Sequence, residues 1–93
     1  MENWKSQVTP FQKKVYEALL TIPKGEVRTY AWVAKKIGKP KAARAVGQAC
    51  KANKWAPAIP CHRVIGSNGT LTGYSAPGGL TAKQRLLTKE GAI

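Results

Sequence analysis

The chain has 93 residues, 43% of them hydrophobic, which is enough for one domain with a modest core and too few for two. No apolar run approaches the roughly 20 residues that span a bilayer, and the opening residues lack the basic-then-apolar order of a secretory signal, so we expect a protein of the cell interior, cytoplasmic or, in a eukaryote, nuclear. The formal net charge of +12 favours an anionic partner, nucleic acid above all, although a basic surface kept for solubility would give the same balance.

The first predicted element is a helix that begins at Thr9-Pro10. Thr9 is a favourable N-cap, Pro10 suits the first helical position, and Gln12 completes a capping box. Apolar residues then recur at near-helical spacing as far as Ile22. The Pro-Lys-Gly sequence at residues 23–25 ends this helix.

Two short helices follow an extended segment at residues 26–28. Thr29 caps the first of them, which runs through Lys36 and ends at Gly38, and the second covers about residues 41–52. Their Gly-Lys-Pro linker predicts a helix-turn-helix. The second of these helices is rich in alanine and glycine, which let a backbone approach another surface closely. Tight packing against the first helix of the chain would explain the same composition.

Loops and a hairpin are predicted between this motif and the last helix. Residues 55–60 contain two prolines and no helical period, so we expect an extended loop there. Val64-Ile65, a turn at residues 66–69 and an extended segment at residues 70–72 predict a short β-hairpin. Residues 73–79 form a glycine-rich loop that lacks the Gly-Lys-Ser/Thr ending of a phosphate-binding P-loop.

The last predicted helix covers about residues 81–90. Leu80, Leu86 and Leu87 are expected to face inward. Together these elements predict a small single α/β domain over residues 1–93. It is mostly helical, with a winged-helix-like helix-turn-helix and a short β-hairpin.

A cysteine directly beside the chain's only histidine is the strongest candidate for chemistry. The thiolate is the reactive form of cysteine, and Cys61 needs a base such as His62, or a positive field, to reach it. Adjacent side chains in an extended segment point apart, so the two cooperate only across a sharp turn or through a water. A base also needs an orienting carboxylate, and the chain has no aspartate, so Glu90 is the candidate on the C-terminal side. A buried, inert cysteine beside an unrelated histidine is the alternative.

The two cysteines of the chain, Cys50 and Cys61, do not suggest a disulfide framework in a protein of the cell interior. Two cysteines and one histidine also fall short of the four ligands of a structural zinc site. We therefore expect no metal and no cofactor.

Several motifs resemble a known family. Residues 60–64, Pro-Cys-His-Arg-Val, match the active-site motif of the O6-alkylguanine-DNA alkyltransferases, also called methylated-DNA–protein-cysteine methyltransferases. Residues 41–47 look like the recognition helix of that family. Its C-terminal pattern is matched at Gly73-Tyr74-Ser75, Gly78-Gly79-Leu80, Leu86-Leu87 and Glu90-Gly91. The similarity covers about residues 9–92 and is to the C-terminal active-site domain, so we expect the family's N-terminal domain to be absent.

The resemblance implies a DNA repair protein that acts once. Such a protein flips an O6-alkylguanine out of duplex DNA and moves the alkyl group irreversibly to its own cysteine. We expect it to work as a monomer, without a membrane and without a cofactor. Two alternatives remain: a non-catalytic alkyltransferase-like protein that only recognises damage, and a plain winged-helix DNA binder. The presence of Cys61 favours chemistry, because alkyltransferase-like proteins replace the reactive cysteine.

The resemblance also implies five catalytic residues. Cys61 would accept the alkyl group, His62 would act as the base through a water, and Glu90 would orient His62. Asn53 would brace the turn that carries the thiol. Tyr30 would donate a hydrogen bond to the flipped guanine and press on its phosphate.

Further residues are implied in DNA binding and in the substrate pocket. Arg44 would enter the base stack in place of the extruded guanine. The other DNA-binding positions are small residues and lysines on or near the recognition helix: Ala43, Ala45, Gly47, Lys36, Lys41 and Lys51. Val64 would read the guanine edge through its backbone and Ser75 would lie near O6. The pocket walls would include Tyr30, Trp55 and Tyr74.

Overall fold

The computed structural model describes residues 4–55, 58–66 and 79–92. Four α-helices, two short strands and two 3-10 turns occur within these ranges. They are a 3-10 turn at Trp4–Gln7, α1 at Pro10–Leu19, β1 at Arg28–Thr29, α2 at Tyr30–Lys36, α3 at Ala43–Lys51, a second 3-10 turn at Cys61–Arg63, β2 at Val64–Ile65 and α4 at Gly79–Glu90. None of the helices in these ranges is both long and apolar enough to cross a membrane.

The predicted start of α1 is confirmed. The Gln12 backbone N–H donates to Thr9 Oγ1 at 3.1 Å, and the Thr9 N–H donates back to Gln12 Oε1 at 3.0 Å, which completes the capping box. The helix ends at Leu19 rather than near Ile22. The chain tightens there, because the N–H groups of Thr21 and Ile22 each bond to a carbonyl three residues earlier.

The predicted helix-turn-helix is confirmed and consists of α2 and α3. Thr29 Oγ1 accepts a hydrogen bond from the Trp32 N–H at 3.0 Å and so caps α2. The positive φ of Gly38, +79°, turns the chain after α2. The helix α3 begins at Ala43, two residues later than predicted. The delay arises because the Ala42 N–H bonds to a carbonyl in the preceding turn instead.

Val64–Ile65 forms a strand as predicted, but its partner in the described structure is β1. The two strands run parallel, with Arg28 opposite Val64 and Thr29 opposite Ile65. The other arm of the predicted hairpin, its turn and the glycine-rich loop fall within residues 67–78, outside the described ranges. The parallel pair sets the start of α2 beside the segment that leaves the Cys61 turn.

The helix α4 packs against the second 3-10 turn, and two of the three leucines predicted to face inward do so. Leu87 is fully buried and Leu86 packs partly against the core. The prediction for Leu80 is wrong, since 50% of it is exposed. Leu80 lies one turn before Lys83, the first buried residue of α4, so the first turn of the helix extends past the core. Lys83 itself has no exposed surface.

Candidate active site and nucleic-acid interface

The turn that carries Cys61 is held by backbone hydrogen bonds on both sides of the thiol. The Cys61 N–H donates to the Ile59 carbonyl at 2.9 Å, and the Arg63 N–H donates to the Pro60 carbonyl at 3.0 Å. Only 4% of Cys61 is exposed. The sharp backbone turn that cooperation between adjacent Cys and His residues requires is therefore present.

Asn53 ties this turn to the end of α3. Its side-chain amide donates to the Ile59 carbonyl at 2.8 Å, the same carbonyl that accepts the Cys61 N–H. Its Oδ1 accepts the Trp55 N–H at 2.8 Å. The Asn53 side chain also lowers the pKa of the Cys61 thiol and so favours its ionised form. A single buried amide thus fixes the loop on both sides and acts on the thiol.

Glu90 binds His62 and Arg63 at the same time. His62 Nε2 lies 3.0 Å from Glu90 Oε2. Arg63 donates from Nε to Oε1 at 2.9 Å and from Nη2 to Oε2 at 2.7 Å. The Arg63 bonds, assisted by His62, lower the pKa of Glu90 to about 2, so the carboxylate is ionised throughout the physiological range.

His62 is held as a neutral imidazole near neutral pH. Burial lowers its pKa, and the nearby Arg63 and Lys83 charges act in the same direction. The Glu90 carboxylate opposes this change without reversing it. A neutral imidazole fixed at Nε2 by a carboxylate is in the state that a general base requires.

Lys83 belongs to this site and was missed by the sequence analysis. Its ammonium donates to the Val64 carbonyl at 2.6 Å and lies 6.0 Å from the centroid of the Tyr30 ring. Burial lowers the pKa of Lys83, while its charge lowers the pKa of the Cys61 thiol. The available signal was spacing, because Lys83 shares a helical face with Leu87 and precedes Glu90 by two turns.

The two thiols of the chain differ in their surroundings. Burial raises the pKa of Cys61 more than Asn53 and Lys83 lower it, so the thiol stays protonated until a base removes its proton. Burial and the neighbouring Cys61 raise the pKa of Cys50 to about 12. Cys50 is therefore the less reactive of the two. Within the described ranges no group of three or more His, Cys, Asp or Glu side chains could hold a metal ion.

The small residues of α3 divide into two sets. Ala42 packs against the core at the start of the helix and Ala49 is buried within it, so packing explains both. Packing does not explain Ala45, which is exposed, or Gly47, where an added Cβ would meet no atom within 4 Å. Arg44 is exposed on the same helix. The surface of α3 around Ala45 and Gly47 is therefore nearly bare, with the long cationic side chain of Arg44 beside it.

The remaining predicted positions are spread around this helix. Lys36 is exposed at the end of α2, with its ammonium 5.7 Å from the Trp32 ring, and Lys41 is exposed in the turn before α3. The other predicted residues within the described ranges are Lys51, exposed at the end of α3, Ala43, partly buried at its start, and Trp55, half-buried after it. Tyr74 and Ser75 lie outside the described ranges.

Comparison with known proteins identifies the family to which the chain belongs. Residues 10–92 match the family described as 6-O-methylguanine DNA methyltransferase, DNA binding domain. The chain belongs to this family. The resemblance predicted from the motifs is thereby confirmed at the level of the family.

Named members of the family are similar to this chain over most of its length. A methylated-DNA–protein-cysteine methyltransferase of Methanosarcina acetivorans is 57% identical over 84 residues, which is 90% of this chain and 53% of that protein. One from Salmonella typhimurium is 54% identical over 85 residues, which is 91% of this chain and 48% of that protein. The chain thus spans about half the length of these relatives.

Solved structures of the family share the fold. The crystal structure of Mycobacterium tuberculosis OGT in complex with DNA has a TM-score of 0.86 and 53% identity, over 91% of this chain and 52% of that one. S. pombe Atl1, in complex with damaged DNA containing O6-carboxymethylguanine, has a TM-score of 0.78 and 41% identity, over 87% of this chain and 75% of that one. Both relatives were solved bound to DNA.

Proposed function

We propose that this chain is the active-site domain of its family, the C-terminal one, and that it repairs DNA by moving an alkyl group from O6 of guanine to Cys61. The observation that carries the proposal is the 3.0 Å contact between His62 and Glu90, beside a buried thiol held in a tight turn. A nucleophile, a neutral base and an orienting carboxylate all lie within the region that matches the family.

The raised pKa of Cys61 and the lowered pKa values of His62 and Glu90 set the starting protonation states of the reaction. Cys61 begins as a thiol, and neutral His62 takes its proton through a bridging water while ionised Glu90 stabilises the imidazolium. The sulfur attacks the alkyl carbon, a carbon–sulfur bond forms, and the carbon–O6 bond breaks with its electron pair on the guanine. The guanine takes up a proton from Tyr30, and the proton held by His62 returns to Tyr30 through solvent, so both side chains end in their starting forms. Net, the thiol hydrogen is replaced by the alkyl group and the repaired guanine gains a hydrogen.

Lys83 supports the same step from the other side of the thiol. Its positive charge stabilises the thiolate as it forms. Its hydrogen bond fixes the Val64 carbonyl, which is then set to accept from the edge of the guanine. Tyr30, near the same ammonium, lies where β1 passes into α2. The alkyl-accepting sulfur and the groups that read the base are thus positioned together.

The buried position of Cys61 requires that the guanine leave the duplex. Extrusion costs a few kcal/mol, which contacts with the DNA must offset. The bare surface of α3 at Ala45 and Gly47 allows the helix to approach the minor groove closely, and Arg44 is long enough to fill the vacated stack. The exposed lysines around α3 neutralise phosphates without reading sequence.

Mass spectrometry after incubation with duplex DNA containing O6-methylguanine tests this function. We expect one methyl group per chain, mapped to Cys61, with no turnover beyond one equivalent because a thioether is a poor leaving group. Cys61→Ser should abolish uptake, and Cys50→Ser, the matched control, should retain it. Label on Cys50 or multiple turnover would contradict the proposal. Binding to the lesion without methyl uptake would instead support the non-catalytic recognition protein.

A further inference from the structure

Trp4 is buried although it belongs to a four-residue 3-10 turn near the start of the chain. Only 4% of its surface is exposed, as little as that of Cys61. The turn precedes residues 10–92, so it lies outside the region that matches the family. The Lys5–Glu17 ion pair at 3.6 Å adds little to holding this segment, since both side chains are largely exposed. The Trp4 ring attaches this turn to the core of the described fold.

Three aromatic rings form a closed cluster around Trp4. Its ring centroid lies 5.7 Å from that of Tyr16 and 6.4 Å from that of Trp55. Tyr16 and Trp55 are themselves 6.2 Å apart, edge to face. The Tyr16 hydroxyl donates to the Ala49 carbonyl at 2.7 Å, which fixes this ring against α3. Trp55 is thus held between a ring that α3 anchors and the ring of Trp4.

Hydrogen bonds connect Trp55 to the backbone of Cys61. Its N–H donates to Asn53 Oδ1 at 2.8 Å, and its carbonyl accepts the Ile59 N–H at 3.1 Å. Asn53 and the Cys61 N–H both donate to the Ile59 carbonyl. A displacement of Trp55 would therefore move the Asn53 amide and the Ile59 carbonyl that fixes the Cys61 backbone.

We propose that Trp4 is a positioning residue for Cys61, acting through Trp55 and Asn53. Without the Trp4 ring, one side of Trp55 loses its contact, and the hydrogen bonds that fix Asn53 and the Ile59 carbonyl beside the Cys61 backbone loosen. The Asn53 side chain lowers the pKa of the Cys61 thiol, so its displacement makes the thiol harder to ionise. The proposal rests on the proposed function for its effect on repair, but its effect on the thiol does not depend on alkylguanine.

Reaction of the full chain with iodoacetamide across pH measures the thiol directly, with the product mapped to Cys61 by peptide mass. For Trp4→Ala we expect a midpoint shifted to higher pH and reaction at pH 7 slowed about tenfold, since small misplacements of a reacting group have effects of this size or more. Trp4→Phe keeps a ring in the cluster and should restore most of the reactivity. Methyl uptake from free O6-methylguanine should fall in parallel.

Val33→Ala is the matched control, because it removes buried volume from α2 without changing any of the three rings. It should lower the melting temperature and leave the pH profile in place. A folded Trp4→Ala protein with wild-type rate and midpoint would overturn the proposal. If Trp4→Ala does not fold, Trp4→Leu is judged by the same criterion. Wild-type protein that reacts with iodoacetamide at Cys61 but takes no methyl group would refute the proposed function and leave this test intact.

Discussion

Glu90 binds the Arg63 guanidinium and the neutral His62 imidazole at once, and this sharing sets how the site titrates. Arg63 contacts both carboxylate oxygens and also donates from Nη1 to the Ile22 carbonyl at 2.9 Å, so it joins the turn after α1 to the end of α4. His62 Nε2 also contacts Glu90 Oε2, at 3.0 Å. Because Arg63 keeps Glu90 ionised, His62 can stay neutral without the carboxylate becoming protonated.

Glu90→Gln should therefore weaken His62 as a base. We expect the rates with free O6-methylguanine and with duplex substrate to fall together by about tenfold to a hundredfold, and the apparent pKa of Cys61 to rise. Paired rate measurements on the two substrates across pH check this. Glu26→Gln, which breaks the exposed pair with Arg28, is the control and should leave both rates unchanged. If Glu90→Gln reacts with the free base as fast as the wild type does, Glu90 does not activate the thiol through His62.

The same variant should change acid stability. The pKa of Glu90 is lowered from 4.5 to about 2, so its contribution is present above pH 4.5 and is lost as pH falls toward 2. A shift of that size corresponds to about 3 kcal/mol. The free energy of unfolding in urea should fall for the wild type as pH drops through this window. Glu90→Gln should have a lower free energy of unfolding at pH 7 and a smaller decrease between pH 4.5 and 2.

The individual residues of the site were predictable to different extents. Glu90 could be chosen from the sequence because the chain has no aspartate and few glutamates. Lys83 was overlooked, since lysine on a helix is ordinarily solvent-exposed and its spacing from Leu87 is a weak signal of burial. The dual role of Arg63 depends on the Ile22 carbonyl, 41 residues away in sequence, and no local pattern carries that information.

At the scale of elements, local signals predicted the helices and missed the sheet. The caps at Thr9 and Thr29 involve residues three apart, so the sequence specifies them directly. The parallel pairing of Arg28 with Val64 joins segments far apart in the chain, and two-residue strands have no periodicity to detect. The face of α3 was left open between packing and binding, and the structure divides its small residues between the two.

Gly47 allows the proposed role of that face to be tested apart from folding. An added Cβ meets no atom within 4 Å, so Gly47→Ala should raise helix stability by up to about 1 kcal/mol, and Gly47→Leu should also fold. On the proposed face, the leucine would hold α3 away from the groove and reduce duplex affinity at least tenfold, with free-base reactivity unchanged. Titration of labelled duplex and thermal unfolding measure the two effects. Wild-type duplex affinity in Gly47→Leu would place the DNA surface elsewhere.

Arg44 tests extrusion separately from close approach. If it fills the vacated stack, Arg44→Ala should slow repair of duplex DNA by roughly tenfold or more, because flipping costs a few kcal/mol, and should leave the reaction with free base unchanged. Gln48→Ala, another exposed position on α3, is the control. Single-turnover rates on both substrates decide the matter. Equal loss on both would make Arg44 a structural residue.

Across the whole molecule, the acids offset little of the basic charge. Each glutamate within the described ranges lies in an ion pair: Glu17 with Lys5, Glu26 with Arg28, and Glu90 with Arg63. The sequence from residue 27 to residue 89 contains twelve basic residues and no acid. A net charge of +12 on 93 residues disfavours the compact state through self-repulsion, and the proposed DNA partner would relieve it.

If this acid-free stretch forms the DNA face, affinity for duplex should fall steeply with salt and vary little with sequence. Each phosphate contact contributes about 0.9 to the slope of log K against log salt. Lys36→Ala and Lys41→Ala, which remove exposed cations on either side of the helix-turn-helix linker, should each flatten the slope by about one unit. Lys13→Ala, an exposed lysine of α1 outside the stretch, should leave it unchanged. Fluorescence anisotropy with one duplex at several salt concentrations measures all three. Wild-type slopes for Lys36→Ala and Lys41→Ala, or a flattened slope for Lys13→Ala, would move the DNA face away from α2 and α3, because counterion release follows the phosphates that are actually contacted.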